Sequence, residues 1–153
     1  MSAIEARLAS LGITLPQPAA PAANYVAFVE SRGMLYISGQ IPVGPNGVDY
    51  VGKLGEEFGI EEGRAAARLC AINILAQARA ALGDLDRVAR IVKLTGFVNG
   101  TPAFTDQPKV VNGASDFMVE IFDEKGRHAR SAVGVGGLPF GVAVEVEAII
   151  EIA

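Results

Sequence analysis

Cysteine, histidine and large aromatic residues are scarce in this chain. Its 153 residues include one cysteine, Cys70, one histidine, His128, and no tryptophan, and aromatic residues make up 7%. A single cysteine excludes an intrachain disulfide and suits a reducing compartment. A lone histidine with no cysteine nearby argues against a zinc site, and a Ser-His-Asp triad would depend on this one residue. We expect no metal site, a buried Cys70, and an exposed His128 in its charged turn.

Basic clusters and long apolar runs are absent as well. Lysine and arginine number 13 against 17 aspartates and glutamates, which gives a net charge of −4 and a pI near 5.0. Without a basic stripe, the chain lacks a source for the counterion release that drives nucleic-acid binding. No run reaches the roughly 18 apolar residues that span a bilayer, and Glu5 and Arg7 lie where a secretory signal would begin. We expect a soluble, cytoplasmic protein that binds neither nucleic acid nor membranes.

Small apolar residues, in contrast, are abundant. Half of the residues are hydrophobic, the mean hydropathy is +0.34, and alanine and glycine together account for 42 of the 153 residues. Such residues favour close approach of backbones over large side-chain anchors. The length predicts a single domain over residues 1–153, and the positive hydropathy indicates apolar surface that is buried against copies of the chain.

The patterns along the chain predict a mixture of helices and strands. The apolar spacing predicts helices at Met1–Leu11, Glu61–Leu82 and Pro108–Phe122. Runs of apolar and β-branched residues predict strands at Tyr25–Val29, Leu35–Ser38, Asp86–Asn99, Ser131–Val135 and Val142–Ile152. Between these, the sequence predicts a proline-rich linker at Pro16–Pro21 and an irregular loop at Val51–Gly63. It predicts turns at Arg32-Gly33, Gly44–Gly47 and Asp123–Arg127.

The order of these elements, β-β-loop-α-β-α-β-β, predicts an α+β two-layer sandwich. It consists of a mixed sheet of five to six strands with two helices on one face. Glycines inside regular elements, at Gly96 and in Asn112-Gly113, indicate close backbone packing or a site. The face of the sheet away from the helices must be solvated or covered by a partner.

The last strand and the one before it carry the candidate chemistry. From Val142 to Ile152 one face is apolar, whereas the other holds Glu145, Glu147 and Glu151. Arg130 enters what we expect to be the neighbouring strand, where its planar fork suits a carboxylate. The residues alone leave two alternatives open, an ion pair with a glutamate or a clamp for a ligand.

Three motifs together resemble the RidA/YjgF family of reactive-intermediate deaminases. The C-terminal part contains ARSAVGV at 129–135, Leu138-Pro139 and VEVEAI at 144–149. The N-terminal part contains SGQIP at 38–42, thirteen residues after Tyr25, and Asn112 lies eighteen residues before Arg130. The resemblance runs from about Pro21 to Ala153, so residues 1–20, a helix and linker, are an extension typical of a longer subgroup.

The resemblance implies a chorismate-mutase-like fold that forms a homotrimer with three clefts between subunits. Arg130 would bind the carboxylate of a 2-imino or enamino acid, and Glu145 would activate water for attack on the imine carbon. Residues that line the cleft would be Tyr25, Ser38, Gly39, Asn112 and Ala132, the last through its backbone. The products would be a 2-oxo acid and ammonia, with no cofactor.

Two other functions remain to be weighed against this deaminase hypothesis. The same clefts would also suit a non-catalytic protein that binds or senses a small carboxylate. A ribonuclease activity, also attached to the family by name, is disfavoured by the low pI, the single histidine and the lack of a basic aromatic platform.

Overall fold

The computed structural model describes residues 2–18, 20–21 and 23–153. The helices are α1 (Ala3–Ser10), α2 (Ile60–Leu82) and α3 (Gln107–Phe122). The strands are β1 (Phe28–Ser31), β2 (Met34–Gln40), β3 (Val43–Gly44), β4 (Gly47–Val48), β5 (Val88–Asn99), β6 (Ala129–Val135) and β7 (Val144–Ile152). Short 3-10 turns lie at Leu85–Arg87, Asp123–Gly126 and Pro139–Gly141. The predicted elements are confirmed, with bounds that differ by up to three residues.

Five strands form one mixed sheet in the order β1-β2-β7-β5-β6, and β3 and β4 form a separate hairpin. Neighbours are antiparallel except β5 and β6, which are parallel. The expectation that the Arg130 strand neighbours the last strand is wrong, because β5 lies between β6 and β7. The reason is the crossover through α3. After α3 the chain returns as β6, which runs parallel to β5 along the edge of β5 that β7 does not occupy.

Both long helices pack on one face of the sheet, as the α+β sandwich predicts. The residues of β7 on this face, Val144, Val146, Ala148 and Ile150, are buried, and α2, which contacts β7, contributes several buried alanines to the same core. The small residues have the predicted effect on packing: a Cβ added at Gly96 would lie 2.5 Å from a methyl carbon of Val111 on α3. The core therefore forms by close approach of backbones.

The N-terminal helix is fastened to the rest of the chain by polar contacts. The Asp86 carboxylate accepts hydrogen bonds from the backbone N–H groups of Ala3 and Ile4, both at 3.0 Å. Arg7 donates to the Ile121 carbonyl and to Asp123. The described residues of the predicted linker have no regular structure, and Met1 and Ala19 lie outside the described residues. That residues 1–20 are an extension to a single domain stays a prediction.

The sheet face opposite the helices, here called the outer face, carries exposed apolar side chains. Val29 and Tyr36, paired across β1 and β2, are 50% and 45% exposed, and Val133 on β6 is 43% exposed. Glu147 and Glu151 of β7 lie on the same face. That another subunit covers this face stays a prediction. No helix in the described ranges is long and apolar enough to cross a membrane.

Replacing Gly113→Ala should destabilise the fold by about 1–3 kcal/mol, the usual cost of overpacking. A Cβ at this position would collide with the Arg64 carbonyl group, whose carbon lies 2.8 Å away, and backbone gives way less easily than a side chain. Urea unfolding measures the change. Gly137→Ala is the control, since nothing lies within 4 Å of its added Cβ; a Gly113→Ala protein as stable as this control would contradict the packing argument.

The Asp86→Asn variant should be less stable than the wild type at neutral pH, with a difference that depends on pH. The two backbone N–H groups lower the pKa of Asp86 below its ordinary value. Its ionised form therefore stabilises the native state above the ordinary carboxyl pKa of about 3.9. That stability is lost as the pH falls through the lowered pKa, so the melting temperatures should converge in acid. A difference that persists unchanged in acid would show that ionisation plays no part.

Candidate functional site

Arg130 is held by two neutral oxygen atoms at the edge of the sheet. Its Nη1 donates to Oδ1 of Asn112 at 2.8 Å and to Oγ of Ser115 at 3.2 Å. Asn112 and Ser115 are three residues apart on α3 and therefore share one helix face. In the described part of the chain, no carboxylate lies within ion-pair distance of Arg130. The guanidinium is thus half-buried and oriented, yet its charge is not neutralised within the chain.

His128 joins the same group, which we call the arginine cluster: Asn112, Ser115, His128 and Arg130. Its Nε2 lies 2.8 Å from Oγ of Ser115, and its Nδ1 lies 2.6 Å from the Gly126 carbonyl oxygen. The expectation of an exposed histidine is wrong, because the ring is half-buried against α3. Burial lowers the pKa of His128, as does the positive charge of Arg130, while the Gly126 carbonyl counteracts them in part.

Glu145 is a half-buried carboxyl group on the outer face of β7. Burial raises its pKa above the ordinary glutamate value, and the negative charge of Glu147 raises it further. No cation among the described residues forms an ion pair with it. A carboxyl group with a raised pKa exchanges protons more readily near neutral pH, which suits general acid–base work.

Gly39 provides the space that the Glu145 side chain occupies. A Cβ built on Gly39 would overlap Oε2 of Glu145 and would lie 2.8 Å from its Cδ. The register of β2 against β7 shifts between Ile37 and Gln40, which brings Gly39 into this position. Any larger residue there would displace the carboxylate.

A cavity of about 400 Å³ lies above Gly39 and Glu145, and we call it the glutamate cavity. Ser38 closes one side, where its hydroxyl donates to the Val26 carbonyl and so ties the Tyr25 segment to β2. Most of the wall is apolar. The other lining residues are Ala20, Pro21, Tyr25, Ala27, Gln40, Ile41, Val43, Val48, Asn73, Gln77, Pro139 and Phe140.

The predicted site residues fall into two groups that do not meet within one chain. Tyr25, Ser38, Gly39 and Glu145 line the glutamate cavity, whereas Arg130 and Asn112 belong to the arginine cluster. Arg130 lies level with Ala148, because both pair with Leu94 of β5. Glu145 is three residues further along β7, so strand geometry places the two Cα atoms about 14 Å apart.

The two groups also lie on opposite sides of the sheet. Arg130 shares the side of buried Leu94, where α3 packs, while Glu145 pairs with Phe97 on the outer face. Ala132 follows Arg130 on β6 and pairs with Gly96. Neither group alone therefore combines a carboxylate-binding cation with a proton-transfer group.

The sequence did not lead us to Ser115 or to the hydrogen bond between His128 and Ser115. Periodicity could have found both, because Ser115 is one helical turn after Asn112 and His128 is two residues before Arg130. Phe140 is 71% exposed at the rim of the glutamate cavity and has a left-handed backbone, φ 59°.

The structure also bears on metals and on Cys70. Within the described residues, no cluster of three or more histidine, cysteine, aspartate or glutamate side chains could hold a metal ion. Cys70 is buried, as expected, and its thiol contacts the Val144 carbonyl at 3.5 Å.

Comparison with known proteins reveals relatives that match over almost the whole chain. Protein TCP17 of Trypanosoma cruzi is 54% identical over 150 residues, which is 97% of this chain and 94% of that protein. The crystal structure of Atu1372 from Agrobacterium tumefaciens, a protein of unknown function, superimposes with a TM-score of 0.92 at 47% identity. That match covers 98% of this chain and 92% of Atu1372.

Two further structures are less similar in sequence. RidA from the Antarctic bacterium Psychrobacter has a TM-score of 0.62 at 29% identity, covering 89% of this chain and 94% of RidA. TdcF of Escherichia coli, solved with bound serine, has a TM-score of 0.65 at 26% identity, covering 90% of this chain and 94% of TdcF.

A family model described as "YjgF/chorismate mutase-like, putative endoribonuclease" matches residues 5–150. The mixed five-stranded sheet, with its two long helices on one face, is the chorismate-mutase-like fold of that description. With this match, and with a relative that is 54% identical over 97% of this chain, the chain belongs to the RidA/YjgF family.

Proposed function

We propose that this protein hydrolyses 2-imino and enamino acids to 2-oxo acids and ammonia, in clefts between the subunits of a homotrimer. One observation carries the proposal. Among the residues that the structure describes, a half-buried arginine has no carboxylate partner and a half-buried carboxyl group forms no ion pair with a cation. Unpaired buried charge is costly, and a substrate that is anionic at one end and hydrolysed at the other would use both groups.

Arg130 would bind the substrate carboxylate. Both of its hydrogen bonds within the chain use Nη1 and end on neutral oxygens, from Asn112 and Ser115. The hydrogens on Nη2 and Nε remain available for a two-point contact with a carboxylate. A lysine could supply the charge but not this planar geometry.

Glu145 would transfer the protons. An enamino acid first becomes the iminium form by protonation at its β-carbon. Water then attacks the iminium carbon, and Glu145 accepts a proton from the attacking oxygen. After that proton has moved from Glu145 to nitrogen, the C–N bond breaks and ammonia leaves. The remaining hydroxyl proton passes to the Glu145 carboxylate as the carbonyl of the 2-oxo acid forms. The iminium is already electrophilic, so orientation and proton transfer are sufficient.

Assembly of three chains would bring the arginine cluster of one subunit to the glutamate cavity of the next. Within one chain the two groups are about 14 Å apart by strand geometry and on opposite sides of the sheet. The exposed Val29, Tyr36 and Val133 of the outer face supply apolar surface for such an interface. Tyr25, Ser38 and Gly39 would then face Asn112, Arg130 and the backbone of Ala132.

One relative supports a small carboxylate-bearing substrate. TdcF was solved with serine, which is an amino acid with a free carboxylate, and RidA shares the fold and the family. The family description also names an endoribonuclease, but the chain carries a net charge of −4 and no basic cluster. We place the protein in the cytoplasm, since its buried free thiol suits a reducing compartment.

A coupled assay tests the proposal directly. A pyridoxal-phosphate dehydratase generates 2-aminoacrylate, and release of the 2-oxo acid is followed with and without the protein. Loss of charge-assisted hydrogen bonds costs about 2–4 kcal/mol, so Arg130→Ala should lower kcat/KM roughly 30- to 1,000-fold. Arg64→Ala, which breaks an exposed ion pair with Asp116, is the control.

The outcomes separate the two functions that the clefts allow. The deaminase proposal would be contradicted if the 2-oxo acid were released no faster than in buffer for several imino acids and Arg130→Ala had no effect. Tight, Arg130-dependent binding of 2-oxo acids without turnover would instead favour the non-catalytic carboxylate-binding protein.

Mixing two inactive variants tests whether each cleft is shared between subunits. Arg130→Ala and Glu145→Gln should each be inactive alone. After joint unfolding and refolding at equal ratio, about one quarter of the clefts in a cyclic trimer would combine an intact Arg130 with an intact Glu145 of its neighbour. Activity near that fraction of the wild type is expected, and light scattering reports the assembly. A mixture as inactive as its components would place both residues in the same subunit's site.

Gly39→Ala should reduce activity with little loss of stability. The added methyl group meets the far end of the Glu145 side chain, which can rotate away at small cost. The displaced carboxylate would no longer reach the attacking water, and kcat should fall at least about tenfold, since positioned proton transfer contributes 100-fold or more. Gly137→Ala, in open space, serves as the control. Wild-type kcat in Gly39→Ala would show that the position of Glu145 is unimportant.

A further inference from the structure

A chain of three hydrogen bonds runs from the backbone to Arg130 and includes the only histidine of the sequence. It passes from the Gly126 carbonyl to Nδ1 of His128, from Nε2 of His128 to Oγ of Ser115, and from Ser115 to Nη1 of Arg130. The successive distances are 2.6, 2.8 and 3.2 Å. The deaminase chemistry described above uses Ser115 only as an acceptor for Arg130 and gives His128 no role.

The chemistry of each atom determines the direction of every hydrogen bond. A carbonyl oxygen only accepts, so Nδ1 of His128 carries a proton and donates to Gly126. The neutral ring then has an acceptor at Nε2, and the Ser115 hydroxyl donates to it. The lone pairs of the Ser115 oxygen are therefore left for Arg130, which is solely a donor.

The surroundings of His128 keep the ring neutral. Burial and the Arg130 charge lower its pKa. The acidic groups on the adjoining elements have other partners: Asp116 of α3 pairs with Arg64, and Glu124 of the preceding turn pairs with Arg127. On β5, Lys93 lies opposite Ile149 and so on the outer face. No carboxylate of the described residues forms an ion pair with the ring.

We propose that His128 is a positioning residue that acts through Ser115 to orient the Arg130 guanidinium for carboxylate binding, and that only its neutral form does so. The proposal rests on the role of Arg130 given above. In the neutral state, Ser115 offers its oxygen to Nη1 without competition. In the protonated state, Nε2 becomes a donor to the same oxygen and places a second positive charge beside the guanidinium.

Binding of 2-oxobutyrate to the full-length, assembled protein provides the first test, by calorimetry between about pH 5 and 8. The wild-type affinity should fall as the pH drops through the pKa of His128, while the ligand stays ionised. Ser115→Ala and His128→Leu should weaken binding roughly 10- to 150-fold at high pH, the effect of one hydrogen bond to a charged group. His128→Gln, which keeps an acceptor but cannot titrate, should retain affinity and lose the pH dependence.

NMR of the single histidine provides the second test. The imidazole ¹⁵N shifts should report the Nδ1–H tautomer at neutral pH. If carboxylate binding requires the neutral ring, reciprocal linkage demands that 2-oxobutyrate lower the pKa of His128. A purely through-space effect of the ligand's negative charge would raise it instead, so a rise, or no change, would overturn the proposal.

The variants separate failure of this inference from failure of the proposed function. If Arg130→Ala abolishes binding but Ser115→Ala and His128→Leu bind as the wild type does, only the positioning role is wrong. If Arg130→Ala binds normally, Arg130 is no carboxylate clamp, and both proposals fail. Should His128→Leu not fold, Ser115→Ala removes a single hydroxyl group and keeps the inference testable.

Discussion

The parallel pairing of β6 with β5 is the constraint on which the site depends. It places β6 at the edge of the sheet, with Arg130 on the helix side and within reach of Asn112 and Ser115. The same pairing leaves the other edge of β5 to β7, so Glu145 lies two strands away and on the outer face. Within one chain, therefore, Arg130 and Glu145 lie apart and on opposite sides of the sheet.

Arg130 and Glu145 have in common that no oppositely charged side chain of the described residues pairs with them. Arg130 is oriented by two neutral oxygens, which fix its geometry without cancelling its charge. Glu145 is desolvated beside Gly39 and near Glu147, which raises its pKa, and no cation of the described residues forms an ion pair with it. Surface ion pairs elsewhere, such as Arg64 with Asp116, contribute little by comparison.

Small residues make this arrangement compact. Gly113 lets α3 approach the backbone of α2, and Gly96 lets α3 lie close on β5, so that Asn112 and Ser115 reach Arg130. On the outer face, Gly39 leaves the space that the Glu145 side chain occupies. The abundance of alanine and glycine is thus a condition for the site as well as for the core. It also leaves few large side chains to close the outer face, where Val29, Tyr36 and Val133 stay exposed.

The sequence by itself determined the elements, the two-layer class and the alternation of β7, because periodicity and turn chemistry act over a few residues. It also identified Arg130, Glu145, Gly39 and Asn112 as the residues to examine. Only the tertiary structure decided that β5 separates β6 from β7, that Arg130 is bound by neutral oxygens, and that His128 is half-buried against Ser115. These three features depend on the strand edge along which the crossover returns and on contacts between residues that are far apart in the chain. No local pattern encodes that choice, because it follows from the packing of the whole sheet against its helices.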